Sequence, residues 1–120
     1  MQKRRRLPEH IYLPPAVAAA VGPRSAQLDL PLSAYFSILL RNHLYAGVPS
    51  AVELPTEKHA QVRERIPFSV QSDLWRDAQE AAKFLGGSVS LLLEALVMAE
   101  LRSPAADFVI YVRAAKAKLR

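Results

Sequence analysis

The chain has 120 residues, 51% of them hydrophobic, with no cysteine and a formal net charge of +5. This length suits one compact domain built around a shared core. Without cysteine the chain has neither a disulfide nor a thiolate metal site, and Arg41 and Glu94 interrupt its apolar runs before they reach the length of a membrane span. We therefore expect a cytoplasmic protein with no membrane segment.

Positive charge is concentrated at the two ends of the chain. Residues 1–6 contain four basic side chains, and residues 103–120 contain four more against the single acidic side chain of Asp107. Basic arms on a slightly acidic body predict contact with a polyanion such as nucleic acid. Charged tails that only keep a protein soluble have the same pattern, so this alternative stays open.

The first predicted element is a short strand from Glu9 to Leu13. Its residues alternate between two faces, with Ile11 and Leu13 on the apolar face and His10 and Tyr12 on the other. Such alternation is typical of a strand that is buried on one side only.

Two helices are predicted after this strand. Pro15 can begin the first, because the first turn does not use its missing amide, but Gly22 and Pro23 are expected to break or kink the helix early. The first helix should therefore be short or distorted. The second is predicted from Pro31 to Leu44, with a buried stripe of Leu32, Tyr35, Phe36, Leu39, Leu40 and Leu44.

The same order of elements is predicted again after a polar linker at residues 46–62. Apolar residues alternate from Arg65 to Gln71, which predicts a second strand with Ile66, Phe68 and Val70 on its inner face. Pro67 cannot donate to a strand ladder, so it must lie where the amide would point away from the partner strand.

The second pair of helices has clear boundary signals. One helix is expected to begin at Ser72, with the serine hydroxyl as its cap, and to end at Gly86-Gly87. Ser88 is expected to cap the next helix, at residues 89–101. The first three turns of that helix carry only one charge, Glu94, so it must be buried on more than one side.

The two strand-helix-helix units are related by a constant interval. Without a gap, 57 positions separate Ile11 and Phe68, Leu13 and Val70, Leu28 and Leu85, Ser33 and Ser90, Leu39 and Leu96, and Leu44 and Leu101. The predicted organisation is a basic arm at 1–7, a first repeat at 8–45, the linker at 46–62, a second repeat at 63–102, and a basic amphipathic helix at 103–120. Both repeats are expected to form one domain.

This pattern resembles the ribbon-helix-helix DNA-binding family, in which two strand-helix-helix units pair their strands and interlock their second helices. The two-copy chain resembles the tandem members of this family in F-type conjugative plasmids. The resemblance implies an α+β, mostly helical fold: a single-chain pseudo-dimer with an antiparallel two-stranded ribbon over four helices, plus the C-terminal helix. It also implies a double-stranded DNA partner at the nucleoid and no cofactor.

In the resembled family the ribbon lies in the major groove and its outward side chains contact bases. Strand parity assigns this role to His10, Tyr12, Arg65 and Ser69, with Arg65 the best match for guanine. The N-terminus of each second helix is expected to hold a phosphate. The predicted phosphate contacts are Arg4, Arg5, Arg6, Leu32, Ser33, Ser88, Val89 and Ser90.

Two functions within DNA binding stay open: a transcriptional regulator, or an accessory factor at the transfer origin of a mobile element, with self-association on adjacent sites. Residues 103–120 leave two alternatives, an antitoxin that binds its toxin through this helix and a protein that docks on a membrane surface. An enzyme is not expected. The histidines His10, His43 and His59 lack metal-ligand spacing, and the chain has no glycine-rich phosphate loop or nucleophile elbow.

Overall fold

The computed structural model describes residues 5–45, 54–55 and 62–102. In these ranges the protein is α+β and mostly helical, with one two-stranded antiparallel sheet and four helices. The elements are, in order, β1 (Arg6–Leu13), α1 (Pro15–Gln27), α2 (Leu32–Tyr45), β2 (Glu64–Gln71), α3 (Ser72–Phe84) and α4 (Val89–Arg102). Most of the predicted linker, the first residues of the basic arm and the predicted helix at 103–120 lie outside the described residues.

β1 and β2 pair along their whole length to form an antiparallel ribbon, with His10 opposite Pro67 at its centre. The predicted pairing of the two strands within one chain is therefore confirmed. β1 begins at Arg6, earlier than the predicted Glu9. Arg6 and Leu7, which the sequence pattern assigned to the arm, thus belong to the ribbon.

Both prolines of the ribbon lie at positions whose amides would face outward. The amides of Tyr12 and Ser69 donate to the hydroxyls of Ser90 and Ser33, each at 3.0 Å, instead of to the opposite strand. Since amide direction alternates along an antiparallel strand, Pro8 shares the direction of Tyr12, and Pro67 shares that of Ser69. The expectation for Pro67 holds, and the ribbon loses no ladder hydrogen bond at either proline.

The helices recur at the predicted interval. The first residues of α1 and α3 are 57 positions apart, as are those of α2 and α4, and the members of each pair have equal lengths of 13 and 14 residues. The turn after the first helix of each pair also matches. Asp29 and Gly86 occupy equivalent positions there, and both have positive φ, 56° and 84°. The spacing found in the sequence is therefore present in the helix boundaries.

Of the two outcomes expected for the first helix, short or distorted, a short helix is wrong. α1 continues to Gln27 with Pro23 inside it. Pro23 cannot donate to a carbonyl in the preceding turn, but Val21 is buried in the core and the Ser25 hydroxyl donates to the Gly22 carbonyl at 2.9 Å. Packing of α1 against the rest of the core thus outweighs the local preference to end the helix.

The predicted cap of α3 is also wrong. Ser72 is the first residue of the helix, Gln71 occupies the cap position, and no side chain there accepts from the free amides. The Ser72 amide instead donates to the Arg5 carbonyl at 2.8 Å. Asp73 lies in the first turn as predicted, where the helix dipole favours its carboxylate.

α4 is the most buried helix of the protein. Every residue from Leu91 to Val97 is buried, and α4 packs against β1 and all three other helices. This confirms that the helix is covered on more than one side. The ribbon closes the core through Phe68, whose ring lies edge-on to Phe36 and Trp75 with centroid distances of 5.2 and 6.0 Å. Each large apolar side chain buried here stabilises the fold by roughly 1.5–3 kcal/mol.

None of the helices that the structure describes is by itself long and apolar enough to cross a membrane. Only α3 and α4 taken together reach the required length and composition, and they are bent by 89° where they meet.

Candidate nucleic-acid interface

One surface of the ribbon faces away from the helices. Directly opposite residues of an antiparallel pair share a face, so this surface alternates with the core-facing one along both strands. None of its eight side chains is buried. The surface, hereafter the ribbon face, consists of Arg6, Pro8, His10 and Tyr12 from β1 and Arg65, Pro67, Ser69 and Gln71 from β2. The structure therefore brings all four residues that were predicted to contact bases onto one surface.

One end of the ribbon face combines aromatic and basic side chains. Tyr12, 42% exposed, lies opposite the exposed Arg65, and the His10 ring packs edge-on against the Tyr12 ring with a centroid distance of 5.3 Å. Nearby Arg63 is bound by Glu94 at 2.7 Å and donates to the Tyr12 carbonyl at 3.4 Å. Among the described residues Arg65 has no such carboxylate partner, so its guanidinium is available to a ligand.

The other end of the ribbon face is held by hydrogen bonds within the protein. Arg6 donates to the Ser69 carbonyl at 3.0 Å and to the Ser69 hydroxyl at 3.2 Å. Gln71 accepts a hydrogen bond from Arg41 of α2. Sequence reasoning placed Arg6 among the phosphate contacts and missed Gln71. Both continue the strand parity of the predicted residues, and Pro8 concealed the extension of β1 towards Arg6.

The N-termini of α2 and α4 lie against the two edges of the ribbon. The hydroxyls of Ser33 and Ser90 accept from amides that point outward from β2 and β1, so each can still donate its own proton to an anion. The first backbone hydrogen bond of α2 runs from Tyr35 to Pro31 and that of α4 from Leu92 to Ser88. The amides before these bonds, including those of the predicted residues Leu32, Ser33, Val89 and Ser90, are the groups that attract anions at a helix N-terminus.

Ser88 caps α4 as predicted. Its hydroxyl accepts from the Leu91 amide at 3.3 Å. At the equivalent position in α2 stands Pro31, which has no side-chain acceptor, so the Ala34 amide of α2 lacks this cap. The two helix ends consequently offer different sets of amides to a phosphate.

Several predicted features fall outside the described residues. These are Arg4, the histidine at position 59 and the helix at 103–120 with its proposed toxin-binding or membrane-docking role. Arg5, also a predicted phosphate contact, is described and exposed. Within the described part of the chain, no three His, Asp or Glu side chains gather in a group that could hold a metal ion.

Comparisons with known proteins add no relative. A scan against protein-family models, a search of curated proteins and a search of solved structures each found no match. The candidate interface is therefore defined by its own geometry: a two-stranded ribbon with an unburied polar face, bordered at its edges by two helix N-termini.

Proposed function

We propose that this protein binds double-stranded DNA as a single-chain pseudo-dimer of two ribbon-helix-helix units. In this proposal the ribbon face enters the major groove and reads base edges. One observation carries it: the pairing of β1 with β2 puts Tyr12 and Arg65 side by side on an unburied face, while the opposite face of the ribbon seals the core.

The dimensions of the two partners agree. The major groove of B-DNA is about 12 Å wide and admits a two-stranded ribbon, whose strands lie about 4.8 Å apart. Arg65 can then donate two hydrogen bonds to the O6 and N7 acceptors of one guanine, and the hydroxyl of Tyr12 can donate or accept. His10 and Ser69 complete the set of proposed base contacts.

The edges of the ribbon supply the proposed phosphate contacts. In a groove-bound ribbon the two DNA backbones run past its edges, which is where Ser33 and Ser90 attach the N-termini of α2 and α4. Free amides and the positive end of the helix dipole suit a phosphate at each position. The exposed Arg5, directly before β1, adds a further positive charge beside the ribbon.

The proposed DNA site is an imperfect palindrome. At the interval of 57 residues Tyr12 corresponds to Ser69 and Pro8 to Arg65, so the two halves of the ribbon face present different chemistry to the two halves of a site. A protein with this property suits a transcriptional regulator or an accessory factor at a transfer origin, since both depend on recognition of defined sites.

Selection from a randomised duplex pool tests the proposal. The wild-type protein should enrich a short motif that contains a guanine and has imperfect dyad symmetry. Arg76→Ala is the matched control, because Arg76 is an exposed arginine on α3, away from the ribbon face. It should enrich the same motif, whereas Tyr12→Ala should not.

Two outcomes would contradict DNA reading by the ribbon. One is the absence of any enriched motif. The other is the same motif from Tyr12→Ala as from Arg76→Ala. Binding to anionic lipid vesicles, measured in parallel at equal ionic strength, separates the membrane alternative, which predicts tighter binding to vesicles than to a random duplex.

A further inference from the structure

A buried polar cluster joins the two repeats of the chain. Glu100 of α4 is only 6% exposed. One of its oxygens, Oε1, accepts from Arg24 Nε at 2.8 Å and from the Tyr35 hydroxyl at 3.0 Å, and the other, Oε2, accepts from Arg24 Nη2 at 2.7 Å. Tyr35 is fully buried. The donors thus belong to the first repeat and the carboxylate to the second.

No equivalent cluster is possible on the other side of the fold. At the interval of 57 residues the places of Arg24 and Tyr35 are taken in the second repeat by Ala81 and Leu92. The place of Glu100 is taken in the first repeat by His43. The cluster therefore forms only where a first repeat packs against a second repeat.

Pairing of like repeats from two chains would break this cluster. Two second repeats would bury Glu100 against Ala81 and Leu92, which have no donor. Two first repeats would leave Arg24 and Tyr35 without their carboxylate. Removing one partner from a buried ion pair is strongly unfavourable, because the remaining charge stays desolvated. We infer that Glu100, through Arg24 and Tyr35, selects the pairing of unlike repeats, so that every ribbon contains one β1 and one β2.

A second buried carboxylate on the same helix provides a matched control. Glu94 is also 6% exposed and binds Arg63 at 2.7 Å. Both partners belong to the second repeat, so this ion pair survives whichever repeat lies opposite. Its removal weakens the fold without favouring either kind of pairing.

The strand register allows like and unlike pairing to be distinguished. His10 lies opposite Pro67, and these two positions are related by the same interval of 57 residues. In a ribbon made of two first repeats, His10 would therefore lie opposite His10 of the second chain. The outward amides of Tyr12 and Ser69 show that opposite residues of this parity do not exchange ladder hydrogen bonds. The Cα atoms of such a pair lie about 4.5 Å apart, which is within disulfide range. The chain has no cysteine of its own.

In the test, His10→Cys variants of the whole chain are refolded at about millimolar concentration, which is comparable with the effective concentration that a flexible linker gives. The yield of interchain disulfide is then measured under mild oxidation. Lys83→Cys, exposed on α3, measures random collision. The double variant His10→Cys, Pro67→Cys should form a disulfide between β1 and β2, because the two positions are opposite each other when unlike repeats pair. His10→Cys alone should give no more interchain disulfide than Lys83→Cys.

Combining Arg24→Leu, Tyr35→Phe and Glu100→Leu with His10→Cys should raise the yield of interchain disulfide about tenfold. Apolar replacements of similar volume keep the core packed, but they no longer distinguish the two repeats. Glu100→Leu alone should also raise the interchain disulfide of the His10→Cys variant, since both kinds of pairing then leave Arg24 and Tyr35 equally without the Glu100 carboxylate. His10→Cys with Glu94→Leu should stay at the collision level. The inference is overturned if neither variant that contains Glu100→Leu forms more interchain disulfide than His10→Cys alone. It is also overturned if Glu94→Leu raises the yield of interchain disulfide as much as Glu100→Leu does.

Discussion

Arg65 is the residue whose substitution most sharply separates base reading from general attraction to DNA. It is exposed on the ribbon face and lies opposite Tyr12. We predict that Arg65→Ala removes about 1–3 kcal/mol of discrimination at one base pair, the value of a bidentate arginine–guanine contact. Thermal stability should hardly change, because the side chain is exposed. Competition binding with single-base variants of the selected site measures this loss.

The result depends on comparison with Arg76→Ala, which should leave the base preference unchanged. If Arg65→Ala weakens binding to every sequence equally, Arg65 contacts a phosphate only. The reading side chains would then be Tyr12, His10 or Ser69.

Tyr35 should make the protein sensitive to alkaline pH. Burial, followed by the neighbouring Glu100 carboxylate, raises the pKa of Tyr35 above its ordinary value of 10.0. Above about pH 10 the unfolded chain releases this proton while the folded protein keeps it, so the free energy of unfolding falls as pH rises. Tyr35→Phe should make this fall less steep by up to about 1.4 kcal/mol per pH unit.

Urea unfolding between about pH 8 and pH 11 tests this directly. The comparison variant is Tyr45→Phe, because Tyr45 also has a raised pKa, from its hydrogen bond to Asp77, but is 54% exposed. Tyr45→Phe should change the dependence of the free energy of unfolding on pH less than Tyr35→Phe does. Equal slopes in Tyr35→Phe and wild type would show that Tyr35 ionises as freely in the folded protein as in the unfolded chain.

At the scale of the elements, the two serines at the starts of α2 and α4 attach these helices to the ribbon. Ser33 and Ser90 accept from outward strand amides at the same distance, 3.0 Å. We predict that Ser33→Ala and Ser90→Ala each lower the free energy of unfolding by about 1 kcal/mol, the net value of one such hydrogen bond. Denaturant unfolding should show similar losses for the two variants. Ser37→Ala, a partly buried serine farther along α2, is the control, and a loss as large there would show that the effect is not due to the ribbon contact.

The elements differ in how well the sequence predicts them. Strand parity depends only on alternation, so it assigned Ile11 and Leu13 to the core and Tyr12 and Arg65 to the outer face correctly. The boundaries of α1 and α3 depended on contacts between distant residues. Val21 keeps α1 intact beyond Gly22, and the Arg5 carbonyl replaces a side-chain cap for α3.

The candidate site was predictable to a similar degree. Its four proposed base contacts followed from parity in short strands. The roles of Arg6 and Gln71 did not, because Arg6 bonds Ser69 on the opposite strand and Gln71 bonds Arg41 on α2. Such pairs are adjacent in space but far apart in the chain, and no local pattern reports them.

At the scale of the whole molecule, the basic N-terminal arm should bind phosphates without adding sequence preference. Replacing Lys3, Arg4 and Arg5 with alanine should flatten the dependence of affinity on salt, by about 0.9 in the log–log slope for each phosphate that the arm no longer neutralises. Arg6 is kept, because it belongs to β1 and binds Ser69. Replacing the three last basic residues of the chain, Lys116, Lys118 and Arg120, gives a control with an equal change in charge. Equal flattening by both triple variants would show that the N-terminal arm contacts phosphates no more than the C-terminal basic residues do.

A base analogue at the edge of the major groove can show whether the ribbon face reads bases there. Each guanine of the selected site is replaced in turn by 7-deazaguanine, which pairs normally but lacks the N7 acceptor in the major groove. We predict that wild-type binding weakens at one guanine by part of the about 1–3 kcal/mol that a bidentate arginine–guanine contact is worth, because O6 can still accept one hydrogen bond. Arg65→Ala should show no further weakening at that guanine, because its alanine side chain has no donor for N7. If wild-type protein binds every substituted duplex as tightly as the unmodified one, the ribbon does not read guanine through N7 in the major groove, which contradicts the proposed contact between Arg65 and guanine.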